Sequence, residues 1–107
     1  KTKSIHAAEY FHGTLELVEE DTSLILFYGE DETRPLMDRV MDFSKKVTKV
    51  INVFDTKEIE LPFTDAEYRK IVSPMVMYAM TERLSCHLEK ERNHPLTTRR
   101  YYRQMEY

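Results

Sequence analysis

A chain of 107 residues, 41% hydrophobic and 33% charged, has room for one globular domain and not two. A net charge of −3 argues against a nucleic-acid binder, whose footprint is usually basic, and no apolar run approaches the roughly 20 residues of a membrane-spanning helix. One cysteine, Cys86, excludes an internal disulfide and a multi-cysteine zinc site, the first ten residues lack the apolar core of a secretion signal, and the expected setting is the cytoplasm.

The predicted elements begin at Thr22. The run TSLILFY, Thr22 to Tyr28, is continuously apolar and closed by Gly29, which suits a strand buried on both faces. Thr33 is placed to cap a helix that tolerates Pro35 in its first turn. Leu36, Met37, Val40, Met41, Phe43 and Val47 then recur at helical spacing. A second buried-type strand follows at Val50–Phe54, completing a β-α-β unit of the kind that builds parallel sheets. Glu58 to Leu61 alternates and is ended by Pro62, an edge strand at best. Residues 65–71 give no clear signal. Ser73 as N-cap with Pro74 at the first helical position predicts a last helix from Pro74 to about Arg92. Its start, PMVMYAM, is apolar on nearly every side and is expected to be buried all round, with Met75, Met77 and Met80 as core filler and Cys86 packed. Asn93 can end this helix, and His94-Pro95 cannot continue it.

Two central strands, an edge strand and two helices make a thin core. A parallel sheet needs both faces covered, and the apolar start of the last helix needs a partner. The first residue is Lys1 rather than Met. The expectation is that further strands and helices precede it.

With only 2 glycines there is no Gly-rich phosphate loop. His12 stands in EYFHG directly before Gly13, where a backbone without a side chain lets a ligand approach. Histidine ordinarily titrates at about 6.5, which suits proton transfer; the alternative is a surface histidine with no role. Glu9 lies three residues earlier. On a strand the two would face apart and on a turn they could meet, and a solvated carboxylate is the plainer reading. His6 and His12 lack a third ligand at sensible spacing, so no metal is expected. His87 and His94 read as surface groups, and Glu30, Asp31 and Glu32 as acids favoured near a helix N-terminus. The tail TTRRYYRQMEY carries Arg99, Arg100, Arg103, Tyr101, Tyr102 and Tyr107. Such a set can bind phosphate or bases, or can dock on its own or a neighbouring subunit, which is the favoured reading.

Taken together, HAAEYFHG, LELVEEDTSLIL, GEDETRPL, FSKKV, ERNHPL and the ending RRYYRQMEY resemble the fructosamine 6-phosphate deglycases, in register from His6 to Tyr107. These belong to the sugar isomerase (SIS) domain superfamily, and the likeness is greatest to enzymes acting on fructoselysine or glucoselysine 6-phosphate. The resemblance implies an α/β fold, with residues 1–107 forming the C-terminal portion of the second of two doubly wound parallel-sheet SIS domains. It implies a catalytic role for His12, the histidine of the family's H-G motif. The partner glutamate, the Ser/Thr-rich phosphate loop and the whole first domain would lie upstream of Lys1. Family members form dimers or higher oligomers with sites at subunit interfaces near the tail, which makes Glu9, Arg99, Arg100 and Tyr101 secondary substrate-binding candidates. The implied activity is cofactor-free hydrolysis of a ketosamine 6-phosphate such as fructoselysine 6-phosphate to glucose 6-phosphate and lysine. The implied partners are the sugar-phosphate substrate, the remainder of the protein and a second copy of it, with no nucleic acid and no membrane. This chain by itself is expected to be inactive. Alternatives are another SIS sugar-phosphate isomerase or aminotransferring synthase, and a non-catalytic sugar-phosphate-sensing SIS module of a transcriptional regulator. One departure stands out: the family's usual H-G-P is His12-Gly13-Thr14 here.

Overall fold

The computed structural model describes residues 3–106. The chain divides into two compact units, Lys1–Met77 and Tyr78–Tyr107. In the first, a short helix α1 (Ala7–Tyr10) leads through a 3₁₀ turn (Thr14–Leu17) to strand β1 (Leu24–Tyr28). Helix α2 (Arg34–Val47) connects β1 to strand β2 (Ile51–Asp55), which runs parallel to it in the register Leu24↔Ile51 to Tyr28↔Asp55. The predicted β-α-β unit is therefore present. A second 3₁₀ turn (Thr56–Glu58) precedes helix α3 (Ala66–Arg92), which begins in this unit and ends in the other.

The core lies on one face of the two-stranded sheet. Leu26 and Tyr28 of β1 meet Val40 of α2 and Tyr10 of α1, all buried, with Phe11, Met37, Met41, Phe43 and Ile51 packed around them. Burying a side chain such as Leu26 or Val40 contributes about 1.5–3 kcal/mol. The opposite face carries Ile25 and Phe27, 43% and 38% exposed, with Phe27 stacked on Phe54 at 5.5 Å. The expectation of strands buried on both faces is thus met on one face only within the described residues.

Hydroxyl groups fasten the connections. Buried Thr48 donates to the carbonyls of Glu20 and Thr22 and accepts from Val50 N–H, tying the approaches to both strands together. At the other end of the sheet, buried Thr56 donates to Tyr28 O. Thr33 does precede α2, with Pro35 in the first turn. Its hydroxyl, however, donates to Asp31 Oδ1 at 2.5 Å instead of capping the helix.

Three expectations need correction. Glu58–Leu61 forms no strand; Thr56–Glu58 is a 3₁₀ turn capped by the Asp55 carboxylate, which accepts from Lys57 N–H. The last helix starts at Ala66, not Pro74, because Asp65 Oδ1 accepts from the N–H groups of both Glu67 and Tyr68 and caps it eight residues earlier. Pro74 therefore lies inside a helix, where it removes the N–H that would bond to Lys70 O. The Ser73 hydroxyl donates to that carbonyl at 3.1 Å and replaces the lost bond. The apolar start of the predicted helix is not buried all round: Met75 is 69% exposed, so it is not core filler in this chain.

The second unit holds the remainder of α3 and the tail. Cys86 is exposed rather than packed. Asn93, at φ 47°, ends the helix as expected: its N–H bonds to Lys90 O and the next N–H, of His94, to Glu89 O, the paired bonds of a Schellman terminus. His87 and His94 are exposed. No helix among the described residues is long and apolar enough to cross a membrane.

Candidate active site

His12 is presented by a short device that begins at His6. The His6 imidazole caps α1, its Nδ1 accepting from Ala8 N–H at 3.2 Å. One turn of helix follows, and His12 N–H closes it onto Glu9 O at 3.1 Å. Glu9 and His12 thus lie on a turn and not a strand, and the bond that joins them is a backbone one. Both side chains are exposed. Gly13 follows with φ 115° and ψ −22°, a backbone conformation that other residues reach only with strain. A Cβ added there would meet nothing within 4 Å, so the demand for glycine comes from the backbone. Thr14 then opens the 3₁₀ turn, held by Glu16 N–H to Gly13 O. It occupies a first-helical position, where proline fits because no N–H is needed.

The side chains just before His12 are fixed in the core. Tyr10 is 6% exposed and its hydroxyl lies 3.1 Å from that of Ser44 on α2, which is fully buried. Tyr10, Phe11 and Phe43 contact one another edge to face, with centroids 5.3–6.3 Å apart. The Arg39 guanidinium lies over Phe11. Sequence reasoning missed Tyr10 and Ser44. The available signal was Ser44 itself, a polar residue four positions after Val40 on the apolar stripe of α2.

A second polar cluster joins the C-terminal ends of both strands, where open α/β sheets bind ligands. Arg34 donates to Gly29 O and makes a two-pronged ion pair with Asp55. Arg69 of α3 makes another with Glu30, both contacts at 2.8 Å, and also donates to the carbonyls of Thr56 and Ile59. Ser73 accepts from Glu30 N–H. The Arg69 hydrogen bonds hold the Glu30 carboxyl below its usual range against the opposing effect of burial. For Asp55, burial is the largest single influence and pushes upward. Arg34, the Lys57 N–H and the nearby positive charges together outweigh it and leave the carboxyl lowered. Each guanidinium here is already matched to a carboxylate and to carbonyls. This cluster locks elements together, and both guanidinium charges are already matched to carboxylates.

The remaining candidates, Arg99, Arg100 and Tyr101, lie in the other unit and are exposed. Arg99 Nη1 donates to Leu96 O and Thr98 O, both tail neighbours, and Arg103 sits over the Tyr102 ring. Tyr107 lies outside the described residues. Among those residues no three His, Cys, Asp or Glu side chains gather as metal ligands would. The arrangement thus offers the exposed His12 imidazole beside a glycine-dependent turn, a group chemically able to exchange protons.

No protein-family model matches the chain. It is 39% identical over 104 residues to fructosamine deglycase FrlB of Bacillus subtilis (strain 168), an alignment that covers 97% of this chain and 32% of that protein. It is 31% identical over 98 residues to fructoselysine 6-phosphate deglycase of Escherichia coli (strain K12), covering 92% and 27% respectively. A crystal structure from Bacillus subtilis, provisionally described as a phosphosugar isomerase, superposes with a TM-score of 0.86 at 39% identity, over 98% of this chain and 32% of that one. The chain spans about a third of the length of the relatives it matches. Both the sequence and the α/β fold with its parallel strand pair are therefore homologous to the fructosamine and fructoselysine 6-phosphate deglycases.

Proposed function

We propose that the whole protein is a cytoplasmic, cofactor-free deglycase that hydrolyses a ketosamine 6-phosphate such as fructoselysine 6-phosphate to a hexose 6-phosphate and an amine. In this reading the chain supplies the C-terminal portion of a second SIS domain, and His12 is its proton-transfer group. The observation that carries the reading is an exposed histidine on a positive-φ glycine turn, in a chain homologous to proteins named as deglycases.

The chemistry reverses an Amadori rearrangement. The sugar ring opens, a proton leaves C1 to give an enaminol, and C2 is reprotonated to leave an imine at C1. One water then adds to that imine and the amine departs. Each step moves a proton near neutral pH, which calls for a general acid and a general base. His12 serves ring opening or carries a proton between steps. A glutamate from the rest of the protein takes the carbon-bound proton, and backbone N–H groups and hydroxyls there hold the phosphate. Glu9, Arg99, Arg100 and Tyr101 are assigned to substrate binding in an oligomer whose sites form between subunits. The rest of the protein also covers the Ile25–Phe27 face and the apolar flank of α3 around Met75, exposed surfaces that support the reading of a longer protein.

The test is turnover of fructoselysine 6-phosphate by the whole protein, followed as released amine and glucose 6-phosphate. His12→Ala is expected to lower kcat by roughly 10²–10⁴-fold, the usual worth of acid–base catalysis, and the 107-residue chain by itself to release nothing. Unchanged turnover in His12→Ala removes the imidazole from the mechanism. The match to a structure described as a phosphosugar isomerase favours a second reading, aldose–ketose isomerisation without loss of an amine. Interconversion of hexose 6-phosphates with no amine released would decide for it.

A further inference from the structure

We infer that Tyr10 and Ser44 are positioning residues that set the place of the His12 imidazole, acting through one buried hydrogen bond between α1 and α2. The inference rests on the reading of His12 as the proton-transfer group.

Three observations carry it. The segment that presents His12 is short: α1 has four residues, and Gly13, directly after the histidine, adopts a left-handed backbone. Neither a long helix nor a sheet ladder holds it. Ala7, Leu15 and Val18 pack against the core on either side, and the attachment nearest to His12 is made by the two residues before it. Phe11 is held by the Phe43 ring and the Arg39 guanidinium, contacts that resist separation but permit sliding. Tyr10 alone combines burial with a directed bond, its hydroxyl 3.1 Å from that of Ser44, at 6% and 0% exposure. A hydrogen bond between two buried hydroxyls, whichever donates, fixes distance and direction as ring contacts do not.

The partner also fits this role. Ser44 projects from α2, the helix whose residue Val40 is buried in the core beside Leu26 and Tyr28. A serine on that apolar stripe adds little burial, and its hydroxyl would be costly there without a mate. Tyr10 is that mate. The hydrogen bond therefore ties the histidine turn to a helix that is itself fixed against the sheet. A displacement of order 1 Å in a proton-transfer group is enough to cost roughly 10²-fold in rate.

The test uses the whole protein and the variants Tyr10→Phe and Ser44→Ala, singly, together, and each with His12→Ala. Tyr10→Phe keeps the ring and its packing. Ser44→Ala removes the same hydrogen bond from a site 34 residues away and leaves the histidine segment untouched. Each single variant is expected to lower kcat by roughly 10–100-fold with KM changed by less than about twofold. The double variant should be no slower than the worse single, because only one hydrogen bond exists to lose. In the His12→Ala background neither change should slow the residual reaction further. A purely structural role would show as a lower unfolding midpoint with kcat intact, or as equal losses with and without His12, and either result overturns the inference. Loss of activity in His12→Ala beside unchanged Tyr10→Phe and Ser44→Ala defeats the positioning claim alone. Full activity in His12→Ala defeats the proton-transfer assignment and the inference with it.

Discussion

Gly13 is a residue that any side chain would strain. Its φ of 115° lies in the region open mainly to glycine, and because an added Cβ would meet no neighbour, Gly13→Ala isolates the backbone cost. That cost is about 1–3 kcal/mol, to be measured by denaturant unfolding of the whole protein, with a parallel fall in turnover as the turn shifts. A change below about 0.5 kcal/mol would show that the turn relaxes freely and holds nothing in place. The same residue explains what the sequence revealed about the site. Histidine followed by glycine suggests a backbone that a ligand can approach, and Gly13 does adopt a positive-φ turn. Whether Glu9 and His12 share a turn or face apart depended on local conformation, which the letters EYFHG leave open. The His6 cap was hidden because imidazole is an unusual substitute for the Ser, Thr, Asp or Asn that mark helix starts. The Tyr10–Ser44 bond joins residues 34 apart, and no local pattern encodes such a pairing.

The elements with a clean periodic signal were legible, and α3 was legible only in its second part. Ser73-Pro74 has the form of a helix start, yet the helix begins at Ala66 under the Asp65 cap. The misreading has a physical cause, since serine and proline stand here in a helix interior that tertiary bonds have made tolerable. Ser73 is 1% exposed and donates to Lys70 O while accepting from Glu30 N–H, so one hydroxyl repairs the helix and ties it to the end of β1. Ser73→Ala strands both groups and is expected to cost about 1–3 kcal/mol in unfolding free energy. Adding Pro74→Ala restores an N–H to Lys70 O and should recover part of that loss. No recovery would mean that the bond to Glu30, not the one to Lys70, carries the effect. The strands predicted as buried on both faces are covered on one face only among the described residues: an apolar run signals burial without saying what supplies it, and Ile25 and Phe27 on the other face stay more than a third exposed.

Across residues 1–77 the ends of four elements meet in two ion pairs, and this gives the molecule an acid-sensitive joint. Arg34–Asp55 links the start of α2 to the end of β2, and Arg69–Glu30 links α3 to the loop after β1. Both carboxyls are lowered in the folded state, Glu30 chiefly by its bonds to Arg69, and Asp55 by Arg34, Lys57 N–H and local positive charge against the upward push of burial. By contrast Lys70–Glu32 is exposed and is expected to add little. The sign follows from proton linkage. Unfolded, these carboxyls bind protons near their ordinary values, about 3.9 for Asp and 4.3 for Glu; folded, they bind them only at lower pH. Their stabilisation is therefore fully present above about pH 5 and is lost as pH falls through about 4 toward the lowered folded-state values. Unfolding midpoints of the whole protein measured between pH 7 and pH 3 should fall more steeply below pH 5 than those of a Glu30→Gln, Asp55→Asn variant. That variant starts lower at pH 7 and loses less on acidification, so the two curves converge. Parallel curves would mean that neither carboxyl is held any differently in the folded protein than in the unfolded chain. The joint between strand ends and helix starts would then owe its strength to the Thr56, Ser73 and Gly29 hydrogen bonds instead.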